Sequence, residues 1–381
     1  MNHMPVPRIA TPLLGFVALS ILLSGCAATP GETSREEQSG VHGIVPDAAQ
    51  VTAAVESRLQ DAGVPGAAIL INDGDGHESL TLIGEAAPGQ EVAAETRFAY
   101  RSMTKSFVGT VILQLAEEDR VDLDAPIDTY IDGVPDGDRI TVRELGDMRS
   151  GLVNYSATPG MGELLSPDPA REPDVDQLLE LSFSEPANFA PGEAYEYSNT
   201  NTLLLGEIIA SVTGDPWETV VDQRILRPLG LTSVTYGFTG GDTDASGFQL
   251  ADGAVVEELP VVAPGWFGAA GALDGTVQDL AEWGRALGSG ALLDEQTHAD
   301  RLEQFGPVTD DPNSPEYDRY GFAMGEIDGW IGHTGNGLGF QSLVMYDDET
   351  DRVAAILING TGEDPDLPAG LFADLQEVLG N

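Results

Sequence analysis

The chain reads as an α/β protein of the α+β kind: an antiparallel sheet flanked by helices, with an all-helical domain inserted between its parts. Three observations predict it. The stretch Tyr100 to Glu118 carries Phe107, Val108, Val111, Ile112 and Leu115 at helical spacing, with Leu113 and Ala116 widening the stripe toward the all-round hydrophobicity of an interior helix. From Tyr320 to Ile358 the pattern changes to consecutive strand-like runs joined by tight turns, which implies antiparallel pairing. Between the two, residues 120–271 read as helices and turn-rich loops with no strand ladder.

Taken in order, Asp47 caps a helix in which Val51, Val55 and Leu59 recur every fourth residue and Gly63 closes it. Strands at Ala67–Ile71 and Leu80–Ile83 flank Asn72-Asp73-Gly74-Asp75-Gly76, a hairpin loop by its Asp-Gly content. The Asp73 and Asp75 pair does not continue to a Glu at the twelfth position of a calcium loop, so no metal is expected. Thr202–Val212 and Pro216–Ile225 read as helices, and Thr276 caps another through Leu287. Strands follow at Tyr320–Ile327, Gly332–Phe340, Ser342–Tyr346 and Val353–Ile358, then a helix over Leu367–Leu379 with Leu371, Phe372 and Leu375 on one face. The expected organisation is an α/β domain over 47–119 and 272–381 and a helical domain over 120–271, with the early and late strands sharing one sheet.

A chain of 381 residues is long enough for two such units with a substantial core. Its formal net charge of −46 disfavours nucleic acid and anionic lipid surfaces as partners. At the N-terminus Arg8 precedes an apolar run from Ile9 to Leu23, too short for a membrane span and suited to an export signal. Leu23-Ser24-Gly25-Cys26 follows and resembles a bacterial lipobox, whose cysteine is lipidated and becomes the mature N-terminus. An ordinary cleavage site beside a free cysteine is the alternative. On the lipobox reading residues 1–25 are a lipoprotein signal peptide, residues 26–46 a polar flexible tether, and Cys26 anchors the protein to the outer face of the cell membrane. Cys26 is the chain's single cysteine, so no disulfide forms within it.

The chemistry concentrates at the start of the central helix. Ser102 and Lys105 are three residues apart and share a helix face, which puts an amine beside a hydroxyl near unpaired N–H groups and the positive dipole end. Of the 17 Lys and Arg residues only Lys105 is lysine. An arginine cannot be deprotonated, whereas a buried lysine amine can be neutral and take a proton from serine. A serine cap with an incidental solvated lysine would give the same two letters. Two further motifs are weak alone: Tyr197-Ser198-Asn199 before a helix, and His333-Thr334-Gly335 on a late strand.

In the order S-x-x-K, Y-x-N, H-T-G these resemble the serine β-lactamase and D-alanyl-D-alanine carboxypeptidase family, the penicillin-binding serine hydrolases, and within it the class C β-lactamase-like branch; related motif sets mark the wider group. The resemblance runs from about Val51 to the C-terminus. It implies a β-lactamase/transpeptidase-like fold with the site between an α/β and a helical domain, and no cofactor. It further implies Ser102 as nucleophile, Lys105 as its activating amine and Tyr197 as a second proton-transfer group. Asn199 would orient Lys105 and the substrate amide, His333 and Thr334 would hold the far wall, Gly335 would keep the strand open for backbone approach, and the N–H groups of Ser102 and Asn336 would form the oxyanion hole. His333 stands where most β-lactamases of this branch have Lys, and Met148 stands where the family usually has a His before Ser150-Gly151-Leu152. The expected activity is that of an exported serine hydrolase acting through an acyl-enzyme, D-alanyl-D-alanine carboxypeptidase-like, on a D-amino peptide. An esterase, a β-lactamase acting on a β-lactam, and a non-hydrolysing penicillin-binding sensor are the alternatives.

Overall fold

A computed structural model of the chain describes residues 45–308 and 314–380. Cys26, the expected signal peptide and nearly all of the expected tether lie outside the described residues. Helix α1 (Ala48–Ala62) begins at Asp47, whose carboxylate accepts the Gln50 N–H at 2.9 Å while the Gln50 side chain returns a bond to the Asp47 N–H, a reciprocal cap. It stops at Gly63, where φ is +71° and an added Cβ would lie 2.3 Å from the Gly253 carbonyl carbon, so only glycine closes this helix.

Strands β1 (Gly66–Asn72) and β2 (Glu78–Ala87) form the hairpin, and in its loop Asp73 is occupied by the turn, accepting the N–H groups of Asp75 and His77. Alternation along β1 shows what covers the sheet. Ala67, Ile69 and Ile71 join one core with Val51 and Val55 of α1, whereas Ala68 and Leu70 join a second core with Phe107 and Trp283. A strand buried on both faces reads as a continuous apolar run, as this one does.

After the short helix α2 (Thr104–Glu117) has passed through the second core, the chain enters the inserted region, where α3 (Asn199–Thr213) is its longest element. This region is not free of strands: β3 (Phe248–Ala251) and β4 (Ala254–Glu258) pair antiparallel, and Gly360–Thr361 adds to β3 in parallel. Exposed side chains along β4 leave no apolar alternation to read, which is why the pair escapes a period-based search. The helix expected over Pro216–Ile225 is a helix at Trp217–Val221 that widens into a π-turn at Asp222–Leu226.

Helix α4 (Val277–Gly288), capped by Thr276, lies against the main sheet, with Trp283 stacked on Phe107 at 3.9 Å between ring centroids. The run expected as one strand over Tyr320–Ile327 is two, β5 (Arg319–Gly321) and β6 (Met324–Ile327), reversed at Ala323. Then come β7 (Trp330–Gly337), β8 (Phe340–Asp347), β9 (Arg352–Ile358) and helix α5 (Leu367–Leu379). The sheet has nine strands, ordered Gln90–Glu91, β2, β1, β9, β8, β7, β6, β5, Gly306–Pro307. The early and late strands thus share one sheet through the β1–β9 pair, in register Ala67 with Ile358 to Asn72 with Val353.

Candidate active site

Ser102 lies in a 3₁₀ turn, Arg101–Met103, that leads directly into α2. It is partly accessible, whereas Lys105 is completely buried. The Lys105 Nζ lies 2.9 Å from Ser102 Oγ and donates to the Ala270 carbonyl at 2.7 Å. Burial alone drives the amine well below its ordinary value. A neutral amine with one N–H on a carbonyl keeps its lone pair for the Ser102 hydroxyl proton. Ala270 is therefore the group that aims Lys105, and no spacing in the sequence marks it.

Tyr197 comes from the loop that leads into α3. Its ring is 5.0 Å from the Lys105 nitrogen, and its hydroxyl has no hydrogen-bond partner among the described residues. Burial pushes the phenol well above its ordinary value. Burial thus moves the amine down and the phenol up, toward a neutral amine beside a protonated phenol, which makes Lys105 the better base of the two. Asn199, half-buried at the first turn of α3, is placed differently from the expectation. Its side-chain nitrogen donates to Ser156 Oγ at 2.8 Å, its Oδ1 has no partner among the described residues, and no hydrogen bond joins it to Lys105. At the departed family histidine, Met148 Sδ instead accepts a weak bond from Asn201 Nδ2 at 3.5 Å.

The third motif runs along β7. His333 is completely buried rather than set in a wall of the cleft, and its ring packs among Tyr197, Tyr317 and Tyr320. Burial lowers it to about 3, so the ring is neutral at physiological pH. Thr334 is likewise buried. Gly335 does permit a close backbone approach, but the approaching backbone is the chain's own: an added Cβ would sit 2.4 Å from the Tyr100 carbonyl oxygen and 3.0 Å from the Ser102 nitrogen.

Asn336 is exposed. The direction of its N–H follows from strand alternation: the Thr334 N–H points away from β8, to the Tyr317 hydroxyl at 2.7 Å, and the amide two residues on faces the same edge. The Asn336 N–H thus lies on the edge of β7 that faces away from β8.

Ser102, Asn199 and Asn336 line a cavity of about 250 Å³ with Tyr155, Trp266 and Phe267. Among the described residues Arg101 is the one charged residue of that lining. Its Nε donates to the Gly337 carbonyl at 2.8 Å and its guanidinium lies 4.1 Å from the Phe267 ring centre. Arg101 holds φ at +52°, an unusual conformation for a long side chain directly before the candidate nucleophile. Sequence reasoning missed Arg101, Ala270, Tyr317 and Tyr320; of these only Arg101, adjoining S-x-x-K, was within reach of it.

Residues 51–378 match the family model described as Beta-lactamase. Protein flp of Staphylococcus aureus (strain N315) is 24% identical over 335 residues, which cover 82% of this chain and 63% of that relative's length. Among solved structures, a D-stereospecific amidohydrolase from Streptomyces sp. superposes with a TM-score of 0.76 at 28% identity, covering 86% of this chain and 98% of the other. A D-amino acid amidase from Ochrobactrum anthropi SV3, in complex with L-phenylalanine amide, superposes at 0.74 and 24% identity, covering 87% and 97%, and shares the fold.

Proposed function

The chain belongs to the beta-lactamase family of serine hydrolases, and from that premise we propose that it is an exported, lipid-anchored hydrolase of D-amino peptides acting as a D-alanyl-D-alanine carboxypeptidase. The observation that carries the acyl-enzyme reading is the 2.9 Å contact between Ser102 and a fully buried amine that burial drives well below its ordinary value.

In the proposed reaction the Ser102 hydroxyl proton passes to Lys105 Nζ as Oγ bonds to the substrate carbonyl carbon, and the carbonyl oxygen takes the negative charge between the Ser102 and Asn336 N–H groups. Collapse breaks the C–N bond. The departing amine takes its proton from the Tyr197 phenol, which is reprotonated by the Lys105 ammonium, leaving an ester on Ser102. Water then attacks that ester with Lys105 again as base, releasing the acid and free Ser102.

Charge in the cavity supports a carboxypeptidase over an aminopeptidase or amino-acid amidase. Among the described residues no Asp or Glu lines it, so a free substrate ammonium would find no counter-ion there, whereas Arg101 favours a carboxylate. The likeness to a D-stereospecific amidohydrolase supports the D-configuration and keeps D-amino acid amide hydrolysis as the second reading. The export and anchor are supported by Arg8, the Ile9–Leu23 run and Cys26. A panel comprising a D-Ala-D-Ala peptide, its C-terminal amide, a D-amino acid amide, a short-chain ester and a chromogenic cephalosporin, assayed on one preparation, tests the reading. Preference for the free-carboxylate peptide is expected; faster turnover of the D-amino acid amide would reverse the order, and turnover of none would sink the hydrolase reading.

A further inference from the structure

Strand β7 is paired with β8 along its whole length, from Ile331 with Tyr346 to Gly337 with Phe340. On its other side β6 pairs only as far as Gly332. From His333 onward that edge has no strand beside it among the described residues, and it is the edge that carries the Thr334 and Asn336 N–H groups. A backbone N–H buried at such an edge needs another partner.

We propose that Tyr317 is a positioning residue for acyl transfer: its buried hydroxyl closes the open edge of β7 and so aims the Asn336 N–H at the reacting carbonyl. The inference rests on the acyl-transfer reading above. The hydroxyl of Tyr317 lies 2.7 Å from Thr334 N, 3.0 Å from Thr334 Oγ1 and 3.1 Å from His333 Nδ1. It owns one proton and two lone pairs, so the directions can be assigned.

The Thr334 N–H can only donate. His333 Nδ1 lies 2.5 Å from the Thr334 carbonyl oxygen, which can only accept, so Nδ1 carries the ring proton. Nε2 is then the acceptor, and takes the Tyr320 hydroxyl proton at 3.0 Å. With no lone pair left at Nδ1, the Tyr317 proton goes to Thr334 Oγ1. Tyr317 therefore grips Thr334 at two points, backbone and side chain, two residues before the candidate oxyanion donor. Tyr320, equally buried and equally close to His333, bonds the ring alone. Each loses one buried hydroxyl on mutation to phenylalanine, but only one loses the strand edge.

The test compares wild type, Tyr317→Phe and Tyr320→Phe by amide hydrogen exchange at Thr334 and Asn336, and by single-turnover acylation with p-nitrophenyl acetate. Tyr317→Phe should speed exchange at Thr334 by about tenfold, the loss of one hydrogen bond. It should slow acylation by about 10- to 100-fold, as a displaced oxyanion donor does, with ester affinity within about threefold. Tyr320→Phe should leave Thr334 exchange unchanged and acylation within about fivefold. In an enzyme that acylates, a folded Tyr317→Phe with wild-type Thr334 exchange, or equal rate losses in the two variants, overturns this role alone. A wild type that p-nitrophenyl acetate never acylates overturns the acyl-transfer reading together with it.

Discussion

Replacing Lys105 by methionine should separate the chemistry of this site from its packing. Methionine has nearly the length of the lysine stem and no charge, so it fills the space between Ser102 and Ala270 without the amine. The structure predicts opposite effects on rate and stability. The 2.9 Å contact to Ser102 is lost, and with it the base; loss of a general base slows reactions about 100- to 10,000-fold, roughly 3 to 5 kcal/mol of barrier. Stability, by contrast, should hold or rise, because the wild type buries an ionisable group that burial already disfavours. Methionine is the better probe than arginine here: a permanent guanidinium with no carboxylate beside it would cost several kcal/mol of stability and blur the result. Acylation is followed by burst kinetics with an activated D-amino acyl ester, beside a urea unfolding curve. A folded Lys105→Met protein that acylates within tenfold of wild type would remove Lys105 from the mechanism and leave Tyr197 as the base.

Three other outcomes follow from the same geometry. Gly335→Ala should lower stability by about 1 to 3 kcal/mol and slow acylation, because its Cβ meets the Tyr100 carbonyl oxygen at 2.4 Å; an unchanged melting temperature and burst rate would contradict the close approach. His333 is held at about 3, below its ordinary 6.5, so the folded state prefers the neutral ring and loses stability as pH falls from 6.5 toward 3. At about 1.4 kcal/mol per pH unit, His333→Gln should remove up to about 2.7 kcal/mol from the stability difference between pH 6.5 and 4.5; equal slopes in both proteins would refute the buried neutral ring. Cys26→Ala should move the protein from the membrane to the soluble fraction in a fractionated culture, and a mutant that stays membrane-bound would exclude lipidation.

Local rules carried far in this chain. Asp47 and Gly63 mark the two ends of α1 because capping is decided by the few residues that touch the orphan backbone groups. The Ser102 and Lys105 side chains meet because three residues along a helical turn bring any two side chains together. What stayed hidden depends on distant partners. Ala270, 165 residues from the amine it aims, carries its role in a backbone carbonyl that any residue would supply. Tyr317 matters because the pairing of β6 with β7 stops at Gly332, and where a neighbouring strand stops is not written in either strand's own pattern. Family likeness assigns Asn199 to Lys105, whereas its amide nitrogen is taken by Ser156, which lies in the 3₁₀ turn Tyr155–Ala157, outside the motif.

The account stands or falls on covalent chemistry at Ser102, the half-exposed hydroxyl of the 3₁₀ turn. The measurement is intact mass of the full chain, mixed with an activated D-amino acyl ester and quenched in acid, for wild type and Ser102→Ala. The account predicts one acyl adduct on wild type and none on Ser102→Ala with its fold intact; an adduct that persists on Ser102→Ala would place the nucleophile elsewhere and contradict it.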